Sequence, residues 1–214
     1  MRKVIIGFAL ILVILAIGGC VSTECTRAGQ VFWDKDFHPD KDAPKWTKNL
    51  KEAAKEAGVS LRRIPEKTIV LIGASEDLNN KKGSYASALD NMLQQYAGYL
   101  KEDLDGFMRQ ALENLGMSTL NIDTAVGASN AVCYIPNQAY ESDLVKTSWQ
   151  ATGRRCLESG EEPVYRVYVL GVIEKEDRKA HLPVAAKETF KYAVIRKDKK
   201  DKIMKELEKL ISKS

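Results

Sequence analysis

Residues 85–115, YASALDNMLQQYAGYLKEDLDGFMRQALENL, decide how the rest of the chain is read. Tyr85, Ala88, Leu89, Met92, Leu93, Tyr96, Ala97, Leu100, Leu104, Phe107, Met108, Ala111, Leu112 and Leu115 recur at intervals of three and four. That spacing lines one face of a helix. Ser84 has the side chain of an N-cap and Gly116 suits a C-terminal stop. At 1.5 Å per residue such a helix runs to roughly 46 Å. That is long for a chain of this size, so Gly98 and Gly106 mark expected bends. An apolar face this long must be covered, and the sequence on either side supplies the cover.

Upstream, residues 68–72 (TIVLI) form a short β-branched run, read as a buried strand, followed by Gly73-Ala74-Ser75. Before it, Pro44-Lys45-Trp46 opens a helical segment with Leu50, Ala53, Ala54 and Ala57 in phase, closed by Gly58. Downstream, residues 119–134 are rich in Ala, Val, Thr and Asn and read as one irregular strand. Residues 144–156 (LVKTSWQATGRRC) alternate, and residues 164–174 (VYRVYVLGVIE) carry β-formers at almost every position. With ESGEEP between them they read as an antiparallel hairpin. From Arg178 onward the pattern turns helical, ending with Ile203, Met204, Leu207, Leu210 and Ile211 on one stripe. The expected fold is α+β: a small, mostly antiparallel sheet of three or four strands packed against the long amphipathic helix, with a helical C-terminal tail.

The first twenty residues follow a different logic. Arg2 and Lys3 precede residues 4–17 (VIIGFALILVILAI), apolar at every position except Gly7. This is the layout of a secretory signal, and it is short of the ~20 apolar residues of a membrane span. It ends in Ile17-Gly18-Gly19-Cys20, which resembles the bacterial lipobox: an aliphatic residue, two small residues and a cysteine. Small side chains let the backbone enter a peptidase cleft, and the Cys20 thiol is the nucleophile able to form a thioether to diacylglycerol. The expectation is cleavage before Cys20 and anchoring to membrane by diacylglycerol and acyl chains (palmitate-like) on that residue. Residue 21 is Val, not the Asp that keeps Gram-negative lipoproteins in the inner membrane. In a Gram-negative source the expected location is therefore the outer membrane, facing the periplasm.

These readings divide the chain into residues 1–19 as signal, 20–43 as tether, 44–175 as an α+β envelope domain and 176–214 as a helical C-terminal extension. Within the tether, Phe32 and Trp33 are expected to dock on the domain. Removal of the signal leaves 195 residues, enough for one domain with a core. The formal charge is +4, and two of those positive charges, Arg2 and Lys3, leave with the signal. A balance so near neutrality gives no support to a nucleic-acid partner.

The order of segments resembles the "LPP-twenty" group of bacterial envelope lipoproteins over residues 44–173. The likeness is carried by the Pro-x-Trp opening, a strand ending in Gly-Ala-Ser, the helix YASALDNMLQQYAGYL, a Trp-bearing strand and the strand VYRVYVLGV. It implies a small lipid-anchored envelope domain with no catalytic residue set, and it matches the lipid-bearing cysteine at Cys20. The long tether and the helical tail depart from that group's pattern.

Four cysteines remain to be placed, at positions 20, 25, 133 and 156. An extracytoplasmic compartment permits a Cys133–Cys156 disulfide. The loop it would close has 22 intervening residues, which contributes about 3 kcal/mol on the chain-entropy model. Spacing equally admits two buried thiols. No CxxC, Walker-type, dinucleotide or calcium motif is present, so no metal and no cofactor is expected. Catalysis has weak materials. His38 and His181 are the two histidines, and Ser75 lacks the Gly-x-Ser-x-Gly turn that exposes a nucleophile. Cys156 beside Arg154-Arg155 reads better as a disulfide than as a thiolate nucleophile. Acidic pairs such as Glu76-Asp77 and Asp103/Asp105 read as surface charge. The leading expectation is a non-enzymatic module that binds another envelope protein, or itself, through the sheet edge or the long helix. The alternative is a module for cell-wall glycan or a small ligand, with Trp149, Tyr165 and Tyr168 as its aromatic face.

Overall fold

The computed structural model describes residues 27–34, 38–117, 122–133 and 144–213. The strands are β1 (Val31–Trp33), β2 (Thr68–Ala74), β3 (Val145–Leu157) and β4 (Gly160–Glu174). The α-helices are α1 (Pro39–Asp42), α2 (Leu50–Glu56), α3 (Lys81–Asn114), α4 (Thr124–Cys133), α5 (Lys175–Tyr192) and α6 (Lys197–Lys213). The four strands make one sheet in the order β1-β3-β4-β2 with every pairing antiparallel. The α+β architecture read from the sequence is thus the one observed.

The long helix begins earlier than its apolar stripe. Asn80 is the N-cap, its side chain accepting from the Gly83 amide. Ser84, expected as the cap, lies one turn inside. It is buried, and its hydroxyl reaches the carbonyls of Asn80 and Tyr165, which ties the helix start to β4. Asn outranks most residues at this position because its side-chain oxygen replaces a missing backbone acceptor. Gly98 and Gly106 neither break nor end the helix. A lone Gly in a helix costs about 1 kcal/mol relative to Ala, which the burial of twelve other α3 residues outweighs. Gly116, at φ +61°, takes the left-handed conformation just past the end.

One face of α3 lies on the sheet. Leu89, Met92, Leu93 and Tyr96 pack with Ile69, Leu71, Val169 and Ile173. The approach is close because two strand positions lack side chains. A Cβ on Gly73 would sit 2.0 Å from the Ala88 carbonyl oxygen, and one on Gly171 would sit 2.2 Å from Met92 Sδ. The opposite sheet face is covered by Trp46 and Ala53, against Val70, Leu170 and Val172. Gln95 Nε2 donates to the Ile72 carbonyl (2.9 Å), and the Ala74 amide donates to Asn91 Oδ1 (3.4 Å), so α3 also caps the outer edge of β2.

Helices α4, α5 and α6 cover the far side of α3. The segment read as an irregular strand is helix α4. Its buried residues, Thr124, Gly127, Ala128, Ala131 and Val132, are mostly small, so its contact face gives no hydrophobic signal. Small size is what that contact needs: a Cβ on Gly127 would lie 1.8 Å from Thr189 Oγ1 and 2.4 Å from the Ala185 carbonyl oxygen of α5. The segment read as a helical extension is α5 and α6. Leu182, Ala185, Ala186, Phe190, Ile203, Leu207 and Ile211 from these helices belong to the same core as α3. Pro183 lies inside α5 and leaves the Lys179 carbonyl without its i+4 donor. Within the stretch read as tether, Val31–Trp33 is a strand, pairing Val31 with Arg155, Phe32 with Arg154 and Trp33 with Gly153. Among the described residues no helix is long and apolar enough to cross a membrane.

Candidate functional site

From Thr147 to Leu157 the β3–β4 register is regular, with Trp149 opposite Tyr168 and Thr152 opposite Tyr165. Side chains therefore alternate strictly between faces. Trp149 and Tyr168 share the face turned away from α3, their ring centroids 5.8 Å apart and tilted by 46°. Tyr165 lies three residues from Tyr168, an odd number, and points to the other face. The three-member aromatic face expected from Trp149, Tyr165 and Tyr168 is therefore corrected to a pair. The parity was present in the sequence; the run of β-formers obscured it.

Two residues along the same face from Tyr168 lies Arg166. Its guanidinium grips Asp77 at both carboxylate oxygens (Nε–Oδ1 2.6 Å, Nη2–Oδ2 2.9 Å) and reaches Asp40 Oδ1 at 3.0 Å. It also stands 5.3 Å over the Trp33 ring. A planar fork matched to a carboxylate is among the stronger charge-assisted contacts. The Asp77 carboxylate holds the guanidinium charge more firmly than usual, against a smaller opposing effect of burial. Arg155 adds a bond to the Asp77 backbone carbonyl (2.7 Å) and one to Glu162 (2.9 Å). Trp33, Arg166, Tyr168 and Trp149 thus form a half-buried strip across three strands. The Arg166 donors are engaged with Asp77 and Asp40, so this residue fastens the segment before α3 and helix α1 to the sheet. The half-buried rings of Trp149 and Tyr168 are the part of the strip suited to stacking on a planar or sugar-like ligand. Trp33 carried a sequence signal as a docking residue; Arg166, Asp77 and Asp40 carried none, since their partners lie 89 and 126 positions apart.

The candidate nucleophile and base are engaged separately. Ser75 is buried, and its Oγ accepts from the Val167 amide at 2.8 Å. His181, on α5, takes the Tyr96 hydroxyl at Nδ1 (2.8 Å). Burial of Tyr96 pushes its phenol well above the usual range, so it stays protonated and donates. Burial likewise depresses the His181 pKa, with Asp177 opposing, and keeps the ring neutral as an acceptor. The pair fixes α5 to α3. Beside it, Asp103 meets Arg178 at 3.3 Å, and Arg178 also donates to the Glu66 carbonyl. Burial raises the Asp103 pKa, and Arg178 counters it. Asp105 holds Lys101 and Thr124. Glu76 is exposed.

The cysteines correct a further expectation. Cys156 is disulfide-bonded and almost fully buried, whereas Cys133, at the exposed end of α4, is not in a disulfide. The Cys133–Cys156 bond is therefore not formed. Spacing along a chain does not bring two Cβ atoms within bonding distance, and here one residue ends a helix of the outer layer while the other sits in β3. Cys20 lies outside the described residues.

A groove of about 590 Å³ runs between the start of α3 and the sheet, with Lys81, Lys82, Tyr85, Trp149 and Val167 among its lining. A second, also about 590 Å³, lies between α3 and α4, with Asp90, Gln94, Ser129 and Cys133 among its lining. Neither histidine of the chain lines either groove. No protein-family model, curated protein or solved structure matches the chain.

Proposed function

We propose that the protein is a lipid-anchored component of a bacterial cell envelope, and that its α+β domain is an interaction module rather than an enzyme. The observation that carries this reading is Ile17-Gly18-Gly19-Cys20 at the end of an apolar run that begins after Arg2 and Lys3. Each buried CH₂ of an acyl chain contributes about 0.8 kcal/mol, and stable anchoring takes more than one chain. A diacylglyceryl thioether on Cys20 meets that condition by itself. The likeness to the LPP-twenty group points the same way. The interaction reading is supported by the separate engagement of Ser75 and His181, which leaves each with a packing role. The partner would be another envelope protein or a second copy of the chain.

The test is mass spectrometry of the protein extracted from membranes. The expected amino terminus is Cys20 bearing diacylglycerol, and Cys20→Ser should leave an uncleaved precursor without lipid. An intact leader on lipid-free protein, or a mature product unmodified at Cys20, overturns the anchor. Recovery of no partner and no oligomer after cross-linking in membranes counts against the interaction module.

The pairing of half-buried Trp149 with Tyr168, beside the Trp46 cluster, supports a second reading, a module for cell-wall glycan or a small ligand. Co-sedimentation with purified wall material tests it. Binding should be lost in Trp149→Ala and Tyr168→Ala with the domain still folded, while Tyr165→Ala, on the other face, should bind normally.

A further inference from the structure

We propose that the cysteine bonded to Cys156 is Cys25, so that a disulfide fastens the chain to the sheet five residues after the lipid-bearing residue. The chain holds four cysteines. Cys156 is in a disulfide and Cys133 is not, which leaves Cys20 and Cys25. The choice between them rests on the anchor reading above: the Cys20 sulfur forms the thioether, and one sulfur cannot hold both bonds.

The backbone supports the choice independently. The Cys156 amide donates to the Gln30 carbonyl (2.9 Å), and the Cys156 carbonyl accepts from the Gly29 amide (2.8 Å). The chain entering β1 therefore runs directly beside Cys156. Just before it, the Gln30 amide donates to the Arg27 carbonyl, with Gly29 at φ +86°. That is a tight turn with its glycine in the position that needs positive φ. Cys25 lies two residues before this turn in the sequence, and the turn itself lies beside Cys156. The near-complete burial of Cys156 also fits a sulfur covered by a bonded segment.

The bond changes what the anchor does. An extended chain spans at most about 3.3–3.6 Å per residue. From Cys20 to Cys25 that is about 18 Å, against about 32 Å from Cys20 to Gly29 if only the strand pairing held the chain. The disulfide thus shortens the leash by nearly half and keeps the β3–β4 hairpin end of the sheet toward the bilayer. Forming the bond takes two protons and two electrons from the two thiols. The acceptor is the disulfide of an extracytoplasmic thiol oxidoreductase, which leaves as a dithiol.

The experiment is non-reducing peptide mapping of the full-length protein, taken from its membrane with thiols alkylated at lysis. Cleavage after Glu24 separates Cys20 from Cys25. The expected result is a Cys25–Cys156 linked pair, lipid on Cys20 and alkylated Cys133. A Cys25–Cys156 pair with unmodified Cys20 supports the disulfide and overturns the lipid reading. A Cys20–Cys156 pair overturns both. Alkylated Cys156, or Cys156 linked to Cys133, overturns the disulfide while lipid on Cys20 is scored on its own. Cys25→Ser should make Cys156 fully alkylatable after denaturation without reductant and leave the protein in the membrane fraction. Cys156 still protected in that variant also overturns the proposal.

Discussion

Replacing Gly73 by Ala should destabilise the fold far more than replacing Gly171 by Ala, although both glycines lie under α3 on neighbouring strands. At Gly73 the new Cβ would meet the Ala88 carbonyl oxygen at 2.0 Å, Met92 Cβ at 2.8 Å and the Met92 amide nitrogen at 2.9 Å. Two of these three atoms are helix backbone, so no rotamer change relieves the contact. The helix must retreat by more than 1 Å. A radial gap of about 0.5–1 Å already forfeits a quarter to a half of each dispersion contact, and Leu89, Met92, Leu93 and Tyr96 all pack in this layer. At Gly171 the collision is with Met92 Sδ (2.2 Å) and Cε (3.0 Å), the far end of an unbranched side chain that readily repacks.

Overpacking costs about 1–3 kcal/mol, and the backbone collision places Gly73→Ala at about 3. The loss of unfolded-state freedom returns about 0.4–1 kcal/mol for either substitution. The net expectation is about 2–3 kcal/mol for Gly73→Ala and about 0–1 for Gly171→Ala. Urea unfolding of the full chain in detergent, followed by tryptophan fluorescence, reads this directly. With m near 2 kcal/mol per molar, Gly73→Ala should lower the midpoint by about 1 M with m unchanged. Met92→Ala should offset much of the Gly171→Ala cost in the double variant but little of the Gly73→Ala cost, since the Ala88 oxygen stays in place. Equal costs at the two glycines, or the reverse order, refute the claim that α3 rests on the sheet at backbone contact.

Tyr96→Phe removes the donor to His181 Nδ1 and should cost about 1–3 kcal/mol, the penalty of leaving a buried acceptor unsatisfied; chemical denaturation would show it, with the far-UV spectrum unchanged. Acidification from pH 7 to 5 should lower stability. Burial holds the folded His181 pKa below its unfolded value, so the unfolded chain takes the proton first, and stability present above about pH 6.5 is lost as pH falls through that value. Asp103, whose folded pKa is raised by burial, contributes with the opposite sign at lower pH. His181→Asn should flatten the slope between pH 7 and 5, and an unchanged slope would assign it to other groups. Gly127→Ala should cost about 2–3 kcal/mol, because its Cβ meets Thr189 Oγ1 and the Ala185 carbonyl; a thermal midpoint equal to the parent's would deny the close α4–α5 crossing.

Elements with large apolar side chains in phase were legible. The α3 stripe, TIVLI at 68–72 and the hairpin at 144–174 announce themselves because burial of Leu, Ile, Val and Tyr leaves a period in the sequence. Helix α4 was not legible, since Gly127, Ala128 and Ala131 are selected for closeness rather than for apolar area. The start of α3 was misplaced by one turn because Asn80 and Ser84 both have capping side chains, and what distinguishes them is that the Ser84 hydroxyl reaches Tyr165 on another strand. The same limit hid the grip of Arg166 on Asp77 and the true state of Cys156. Each depends on which residues the folded chain brings together across a hundred or so positions, and no local pattern encodes that. Parity alone, however, was enough to place Tyr165 opposite to Trp149 and Tyr168.

The edges of the sheet narrow where a partner can bind. On β2 the outward carbonyl of Ile72 and the outward amide of Ala74 are taken by Gln95 and Asn91. A strand adding there would have to displace both side chains before gaining its own ladder bonds. At the other edge, β1 covers Gly153 to Arg155 of β3 and is locked by the Cys156–Gln30 and Gly29–Cys156 backbone bonds. The long helix, the other surface the sequence offered, has its apolar stripe in the core and presents outward only its polar side. Strand addition at β2 therefore has to displace Gln95 and Asn91, and docking on the α3 stripe requires the domain to come apart. The outer faces offer a partner side chains that can be read with the domain intact: the Trp149–Tyr168 strip on one side, and the polar surfaces of α4, α5 and α6 on the other. Substitutions at Gln95 and Asn91 should then leave partner binding intact, and a loss of binding there with the fold preserved would return the interaction to the β2 edge.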